Sequence, residues 1–569
     1  MSSQTEVELK FLVPQDVRTA IAAEMARGSA SLERRSLAAM YLDTEDRRLA
    51  RASIAWRLRR EGRRWIQTLK AGGASALERF EHEVIRPDAS HDAAAHAGTL
   101  VGERLSRILR DARDDGLEVG VRFQTEVRRT ARRIRTRGAV VEVAFDEGRL
   151  LAGGARLRIR EIEFELVSGS AAAMLALAER WRKRFGLVYD PRSKAERGDR
   201  LAEGSAFPPL RKASPPDYPR DANAVEAFGA VLDECLGHIS RNAIGLVAGD
   251  AALRVEHVHQ MRVGIRRLRS ALRSYEGWVP APPPAIIDEL RGLFSTLGLA
   301  RDSDVLDRGV VAELAKVGAP PLAMPAGAAA PDPVALVRAS ETQRLLLAWI
   351  AWRARLAEGL GDAIEAAAGE PATSEPTTGG GAAAAAIDGS IPAQAPADAA
   401  RADAVPAQAG SAQKDGVEEP AAQPDGQADD GAQRAVHDRA ATFHRDAQRR
   451  LRRWHRRIVA DWKGFDDLDE TSLHSLRKRI KRQRYAVEFF TPVLRGRRVE
   501  RYLKPLGTIQ DRMGELNDLF VARTRYQPLI ASDPGAWFAL GWLAARIAEV
   551  RALAKPELKR LANTEPPTY

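Results

Sequence analysis

The sequence predicts a multidomain α+β protein, in which about eight strands of a mostly antiparallel sheet precede an all-α domain. Three observations carry this. Apolar residues alternate with period two before residue 200, they recur at spacings of three and four after residue 222, and a basic helical motif opening at His259 returns at His474. The period-two segments are Glu6 to Leu12, Ile54 to Arg59, Trp65 to Leu69, Phe80 to Ile85, Val121 to Val127, Val140 to Phe145 and Ile159 to Leu166, and Met40 to Leu42 adds an eighth. The helical period is plainest at Val255, Val258, Met261, Ile265, Leu268 and Leu272. A Pro-rich stretch from Ala206 to Pro219 separates the two regimes, and Asp221 is the expected cap of the helix that follows.

At 569 residues the chain is long enough for three or four folding units. Its 88 Lys and Arg outweigh 77 Asp and Glu, giving a net charge of +11, which points to an anionic partner. Glu370 to Asp430 contains no aromatic residue and holds eleven acidic against two basic residues, so the remainder carries +11 − (−9) = +20. That segment is too poor in large apolar groups to fold and is expected to be disordered. The densest apolar run, Leu345 to Trp352, is far below the ~20 residues of a membrane span. A charged N-terminus and the single cysteine, Cys235, suggest a reducing, cytoplasmic setting without disulfides or thiolate metal sites. The expected division is 1–204, a linker at 205–221, a first helical repeat at 222–365, the insertion at 366–433 and a second repeat at 434–565.

Charges of one sign recur on single strand faces: Glu6 and Glu8 with Lys10, Arg57 with Arg59, Glu81 with Glu83, Glu142 with Asp146, and Glu161 with Glu163 and Glu165. Like charges about 7 Å apart on one strand repel unless counter-charges lie between them. A sheet closed with these faces inward would hold separate acidic and basic groups, as a metal-bound polyanion requires. Carboxylates without Cys or paired His suit hard cations such as Mg²⁺ or Mn²⁺.

The motifs Glu6-Val-Glu8-Leu-Lys10, Tyr41-Leu-Asp43-Thr44, Arg57-Leu-Arg59, Gln67-Thr-Leu-Lys70, Phe123-x-Thr125-x-x-Arg128, Glu142-x-Ala-x-Asp146-x-Gly148, Glu161-Ile-Glu163-Phe-Glu165 and Ser193-Lys194-Ala-Glu196-Arg197-Gly198 together resemble the CYTH superfamily, the triphosphate tunnel metalloenzymes. Asp199 departs from the pattern, where a large residue commonly follows the glycine. The resemblance implies an eight-stranded antiparallel tunnel over residues 1–204 that binds a triphosphate and one or two divalent metals. Glu6, Glu8, Glu163 and Glu165 would ligate metal, with Asp146 and Glu161 in the acidic shell. Lys10, Arg57, Arg59, Lys70, Arg128 and Lys194 would hold phosphate oxygens. Glu6, Glu8, Lys10, Glu163 and Glu165 form the implied catalytic set. For any one of these residues the plainer alternative is a surface ion pair.

In the helical region His259, Arg262, Arg266, Arg269 and Arg273 form one basic stripe, and His474, Arg477, Lys481 and Arg484 repeat its spacing. Leu297-Gly298-x-x-Arg301-Asp302 and Leu506-Gly507-x-x-Gln510-Asp511 follow the two stripes. This duplicated pattern resembles the CHAD domain, a helical-bundle domain, over about residues 222–565 apart from the insertion. A solvated face is the usual meaning of a charge run, but residues 441–490 hold fourteen Lys and Arg against seven Asp and Glu. The stripes are therefore expected to contact phosphate. His257, two residues from His259, would point elsewhere.

The pairing of the two domains implies a cytoplasmic inorganic triphosphatase using Mg²⁺ or Mn²⁺, with inorganic triphosphate as substrate and inorganic polyphosphate as ligand of the helical domain. Polyphosphate granules are a location open to such a protein. The alternative is a catalytically weak polyphosphate-binding scaffold. Neither a membrane nor nucleic acid is expected as partner, since the aromatics near the basic faces form no stacking ladder. With the tunnel taken as a separate unit, segment 1–204 is expected to work alone.

Overall fold

The computed structural model describes residues 4–27, 31–73, 75, 77–321, 331–368 and 427–568. The expected disordered insertion falls almost wholly outside the described residues; its flanks are helical, to Ala368 and from Gln427. Side chains of 300–308, which include Arg301 and Asp302 of the first Leu-Gly element, are likewise outside them.

The first regime contains β1 (Gln4–Leu12), α1 (Arg18–Ala26), β2 (Glu33–Thr44), α2 (Arg48–Arg51), β3 (Ile54–Glu61), β4 (Arg64–Gly72), β5 (Glu78–Arg86), α3 (Leu100–Asp114), β6 (Val119–Thr136), β7 (Ala139–Ala152), β8 (Ala155–Gly169), α4 (Ala171–Phe185), the two-residue β9 (Val188–Tyr189) and α5 (Lys194–Ala202). The strand order β5-β4-β3-β2-β6-β7-β8-β1 is closed by pairing of β1 with β5, giving an eight-stranded antiparallel barrel, and β9 pairs with the end of β1. Closure leaves these eight strands without an exposed edge row. All eight anticipated segments are strands. β6, β7 and β8 run well beyond the anticipated stretches, because arginine-rich continuations such as Arg132 to Arg135 break the apolar alternation while the ladder continues.

Alternation sorts the side chains. Leu9, Phe11, Val141, Val143, Phe145, Ile162 and Phe164 point outward into a core with α1 and α4, while the acidic and basic residues of the same strands point into the barrel. One end of the interior is apolar: Leu37, Tyr41, Phe123, Val127, Leu150 and Ile159 pack against Leu201 of α5. At Gly198 a Cβ would lie 2.1 Å from the Phe123 ring, so only glycine lets α5 approach this closely. Asp199 pairs with Arg47 at 2.5 Å.

The second regime is helical: α6 (Ala224–Ala248), α7 (Arg254–Ser274), α8 (Pro284–Leu306), α9 (Ala312–Lys316), α10 (Pro333–Arg338), α11 (Ser340–Ala368), α12 (Gln427–Lys463), α13 (Glu470–Phe489), α14 (Gly496–Tyr526) and α15 (Ala536–Ala562). The cap of α6 is Asn223 rather than Asp221. Its Oδ1 accepts from Val225 and Glu226 N–H, and Glu226 accepts in return from Asn223 N–H at 2.9 Å, a reciprocal box that Asp221 lies too far upstream to make. No described helix is long and apolar enough to cross a membrane.

The Pro-rich stretch separates two regimes of secondary structure but not two cores. The apolar cluster behind β1 and β8 runs on without a break into Phe228, Ile239 and Trp349 of the helices. The expectation that the tunnel is a separate unit is therefore corrected, because the barrel wall and the helical bundle lie in one compact body.

Candidate active site in the tunnel

Register brings the charged faces together. Across neighbouring strands Glu8 faces Glu165, Lys10 faces Glu163, Glu142 faces Glu165, Asp146 faces Glu161, and Lys70 faces Glu81. Residues opposite one another on one face are close enough to interact directly, so these rows form one continuous charged lining.

Two acidic sets result. The first lies beside α5. Asp146, Glu161 and Glu163 each offer an oxygen within 4.8 Å of the others. Lys194, first residue of α5, reaches Asp146 and Glu163 at 2.8 Å and also pairs with Glu161, while Arg197 pairs with Glu161 from the next turn. Burial would raise the Glu163 and Asp146 carboxyls, but Lys194 and Arg129 outweigh it and hold both below their ordinary range.

The second set is Glu6, Glu8 and Glu165, nearer the β4–β5 connection. Lys70 donates to Glu6 at 2.6 Å, and Glu8 accepts from Arg79 at 2.7 Å and from Lys10 at 3.2 Å. Burial opposes ionisation of Glu8, yet Lys10, Arg79 and Lys70 hold it at about 2. Glu6 is pushed up to about 7 by burial and by Glu8 and Glu81, against the pull of Lys70. Glu165 is pushed up to about 8 by burial together with Glu6, Glu142 and Glu81. Among the described residues no Lys or Arg lies within ion-pair distance of Glu165. An all-oxygen donor set fits a hard divalent cation, and among the described residues Asp146, Glu161 and Glu163 are the three whose oxygens converge closely enough to share one.

The basic residues line the opposite wall. Arg57 lies 3.7 Å from Glu81 and 3.8 Å from Glu83, Arg59 lies 2.7 Å from Glu61 and 3.3 Å from Glu83, and Lys70 lies 3.1 Å from Glu81. Tyr41 Oη, 3.4 Å from Arg57, adds a neutral partner. Of the residues expected to hold phosphate, Lys10, Arg57, Arg59, Lys70 and Lys194 are therefore inside.

Arg128 is not. It is exposed on the outer face, opposite Ser36 and Glu147. Its neighbour Arg129 is the inward residue, giving Asp146 a bidentate pair at 2.8 and 2.7 Å and also bonding Glu163. The signal was present in the spacing, since Phe123, Thr125 and Val127 share a face with residue 129 and not with 128. Arg79, outside the motifs, and Arg197, within the last motif but assigned no role there, are further inward cations.

In the helical domain α7 and α13 pack together and bring the stripes into one surface, close enough that Arg266 disfavours the charge on Arg477, which burial already disfavours. Arg262 donates to Phe294 carbonyl at 3.0 Å and lies over that ring, and a Cβ on Gly298 would lie 2.4 Å from its Nη1. The glycine of the first Leu-Gly element thus admits Arg262; nothing lies within 4 Å of the corresponding position on Gly507. Arg269 is exposed beside Phe294, Arg273 pairs with Glu276, Arg484 with Glu488, and His474 meets Asn517 at 3.0 Å. His259 and Lys481 are half-buried on the same helices. His257 turns away and bonds Asn242.

A family profile for the CHAD domain matches residues 230–527, just over half of the chain, and one for the CYTH domain matches residues 4–198. The chain belongs to the CHAD family, with a CYTH domain in front. This CYTH–CHAD chain is 29% identical over 327 residues to an uncharacterized protein of Mycobacterium tuberculosis, covering 53% of this chain and 58% of that protein. It is 28% identical over 201 residues to the inorganic triphosphatase of Haemophilus influenzae, covering 34% of this chain and 54% of that protein. The chain thus spans a little over half the length of the curated relatives it matches. A solved CHAD domain from the plant Ricinus communis is 25% identical, with 63% of this chain and 99% of that one covered and a TM-score of 0.36.

Proposed function

We propose that this protein is a metal-dependent inorganic triphosphatase whose helical domain binds inorganic polyphosphate. The observation that carries the reading is the tunnel lining, where carboxylates of β1, β7 and β8 face Arg57, Arg59 and Lys70 of β3 and β4 across a closed interior. The CYTH match and the Haemophilus relative support it at the level of the family.

In this reading Lys10, Arg57, Arg59, Lys70, Arg129 and Lys194 exchange their carboxylate partners for phosphate oxygens and neutralise the charge spread over the transferred phosphoryl group. Glu6, Glu8, Glu163 and Glu165 would hold the divalent cation, with Asp146 and Glu161 completing the acidic shell beside Glu163. When bound, the cation supplies charge neutralisation and a site that acidifies water. Water adds to the terminal phosphorus, the P–O bond to the bridging oxygen breaks, and pyrophosphate leaves.

Phosphate release from tripolyphosphate, pyrophosphate, long polyphosphate and ATP, measured in parallel with Mg²⁺ and with Mn²⁺, tests this. The highest rate is expected on tripolyphosphate; equal or faster turnover of ATP overturns the inorganic reading. Neutralising Arg262, Arg266, Arg269, Arg477, Lys481 and Arg484 together should abolish retention on polyphosphate, and retention in wild type should fall steeply with salt. Displacement by duplex DNA or RNA at equal phosphate concentration would instead make the helical domain a general polyanion binder.

A further inference from the structure

The acidic set beside α5 is held by α5, and α5 is in turn held by the helical domain. Arg241, on α6, forms an ion pair with Glu196 of α5, both about two-thirds buried. Glu196 stands three residues after Ser193, which caps α5 by accepting from Glu196 N–H at 3.0 Å. This is the Ser-x-x-Glu spacing in which the Glu side chain commonly folds back on the cap. Here the carboxylate goes to Arg241.

We infer that Arg241 is a positioning residue for the tunnel, setting through Glu196 the helix whose Lys194 and Arg197 fix Asp146, Glu161 and Glu163. Three features make the link effective. A nine-residue helix has little stability of its own, so its placement follows its contacts. The ammonium of Lys194 must serve three carboxylates at once, a geometry that a small rotation of α5 would break. The helical domain also grips β1, the neighbour of β8. Buried Gln343 of α11 accepts from Tyr189 N–H at 2.8 Å, and Tyr189 pairs with Phe11 on β1, beside Lys10. β1 and α5 are thus both anchored from the helical domain.

The inference deepens the triphosphatase reading but has a readout independent of it. In the full chain, Arg241→Ala, Arg241→Lys and the exchange Arg241→Glu with Glu196→Arg should be compared with wild type for Mn²⁺ binding, followed by the paramagnetic resonance of free Mn²⁺, and for the KM and kcat of tripolyphosphate. Removing a group that orients ligating residues typically costs 10–100-fold. For Arg241→Ala we expect a roughly tenfold loss in Mn²⁺ affinity and in kcat/KM, at the low end of that range because the residue acts at one remove. The lysine variant and the exchange should recover most of it, and the thermal midpoint of Arg241→Ala should stay near wild type. Unchanged Mn²⁺ affinity in Arg241→Ala, or a loss that neither the exchange nor lysine recovers, overturns the inference. Weakened Mn²⁺ binding in a chain whose wild type hydrolyses no triphosphate would leave the positioning role standing and remove the triphosphatase reading instead.

Discussion

Neighbouring arginines on β6 show how much one residue of register decides. Arg129 lies inside the barrel with Asp146 and Glu163; Arg128 lies outside opposite Glu147. Arg129→Ala removes the strongest counter-charge of Asp146 and the second of Glu163, and activity on tripolyphosphate should fall on the order of 10–100-fold, the usual cost of losing a group that orients ligands. Arg128→Ala should stay within about twofold of wild type, as surface substitutions usually do. Equal effects of the two would contradict this register. Glu165 gives a pH prediction. Its carboxyl stands at about 8 against an ordinary 4.5, so in the metal-free fold it is held neutral. Its stabilising contribution is full below the ordinary value and is lost as pH rises through about 8. The thermal midpoint of chelator-treated wild type should therefore drop from pH 5 to pH 8, and Glu165→Gln, which cannot ionise, should drop less. Parallel curves would mean that Glu165 is already ionised.

At the scale of the element, α5 is the part on which the tunnel depends most. It carries two of the inward cations and fills the apolar end of the barrel. Gly198→Ala forces a methyl into the Phe123 ring, an overpacking that typically costs about 1–3 kcal/mol. Loss of thermal stability accompanied by a raised KM for tripolyphosphate is expected, since displacing α5 withdraws Lys194. A variant as stable and as active as wild type would show that α5 has room to move. The two stripe-bearing helices α7 and α13 behave differently. Each stripe is legible in its own helix, but only their packing places Arg266 beside Arg477, and the mutual repulsion of this pair is what an anion would relieve.

For the whole molecule the continuous core has a direct consequence. Val7 and Leu77 of the barrel line a small cavity with Leu236, Ile350 and Ala354 of the helices, and Tyr189 depends on Gln343. A fragment of residues 1–204 uncovers this wall and loses the anchors of β9 and α5. We expect it to melt below the full chain and to show weaker activity on tripolyphosphate; equal midpoints and equal kcat/KM would mean that the barrel is self-sufficient. Much of this protein was open to reading one residue at a time. Period-two and period-three-to-four patterns are local properties of the chain, so the strands, the helices, the point of change and the inward carboxylates of Glu6, Glu8, Glu161, Glu163 and Glu165 followed from the sequence with the help of a family resemblance. Parity would also have separated Arg129 from Arg128, had the alternation been carried past Val127. Three things could not be read that way: that β1 closes on β5, that the barrel wall and the helices share one core, and that Glu196 leaves its own cap for Arg241. Each is a contact between residues far apart in the chain, and nothing in a local pattern says which distant surface will cover a given face; only the packed structure decides that.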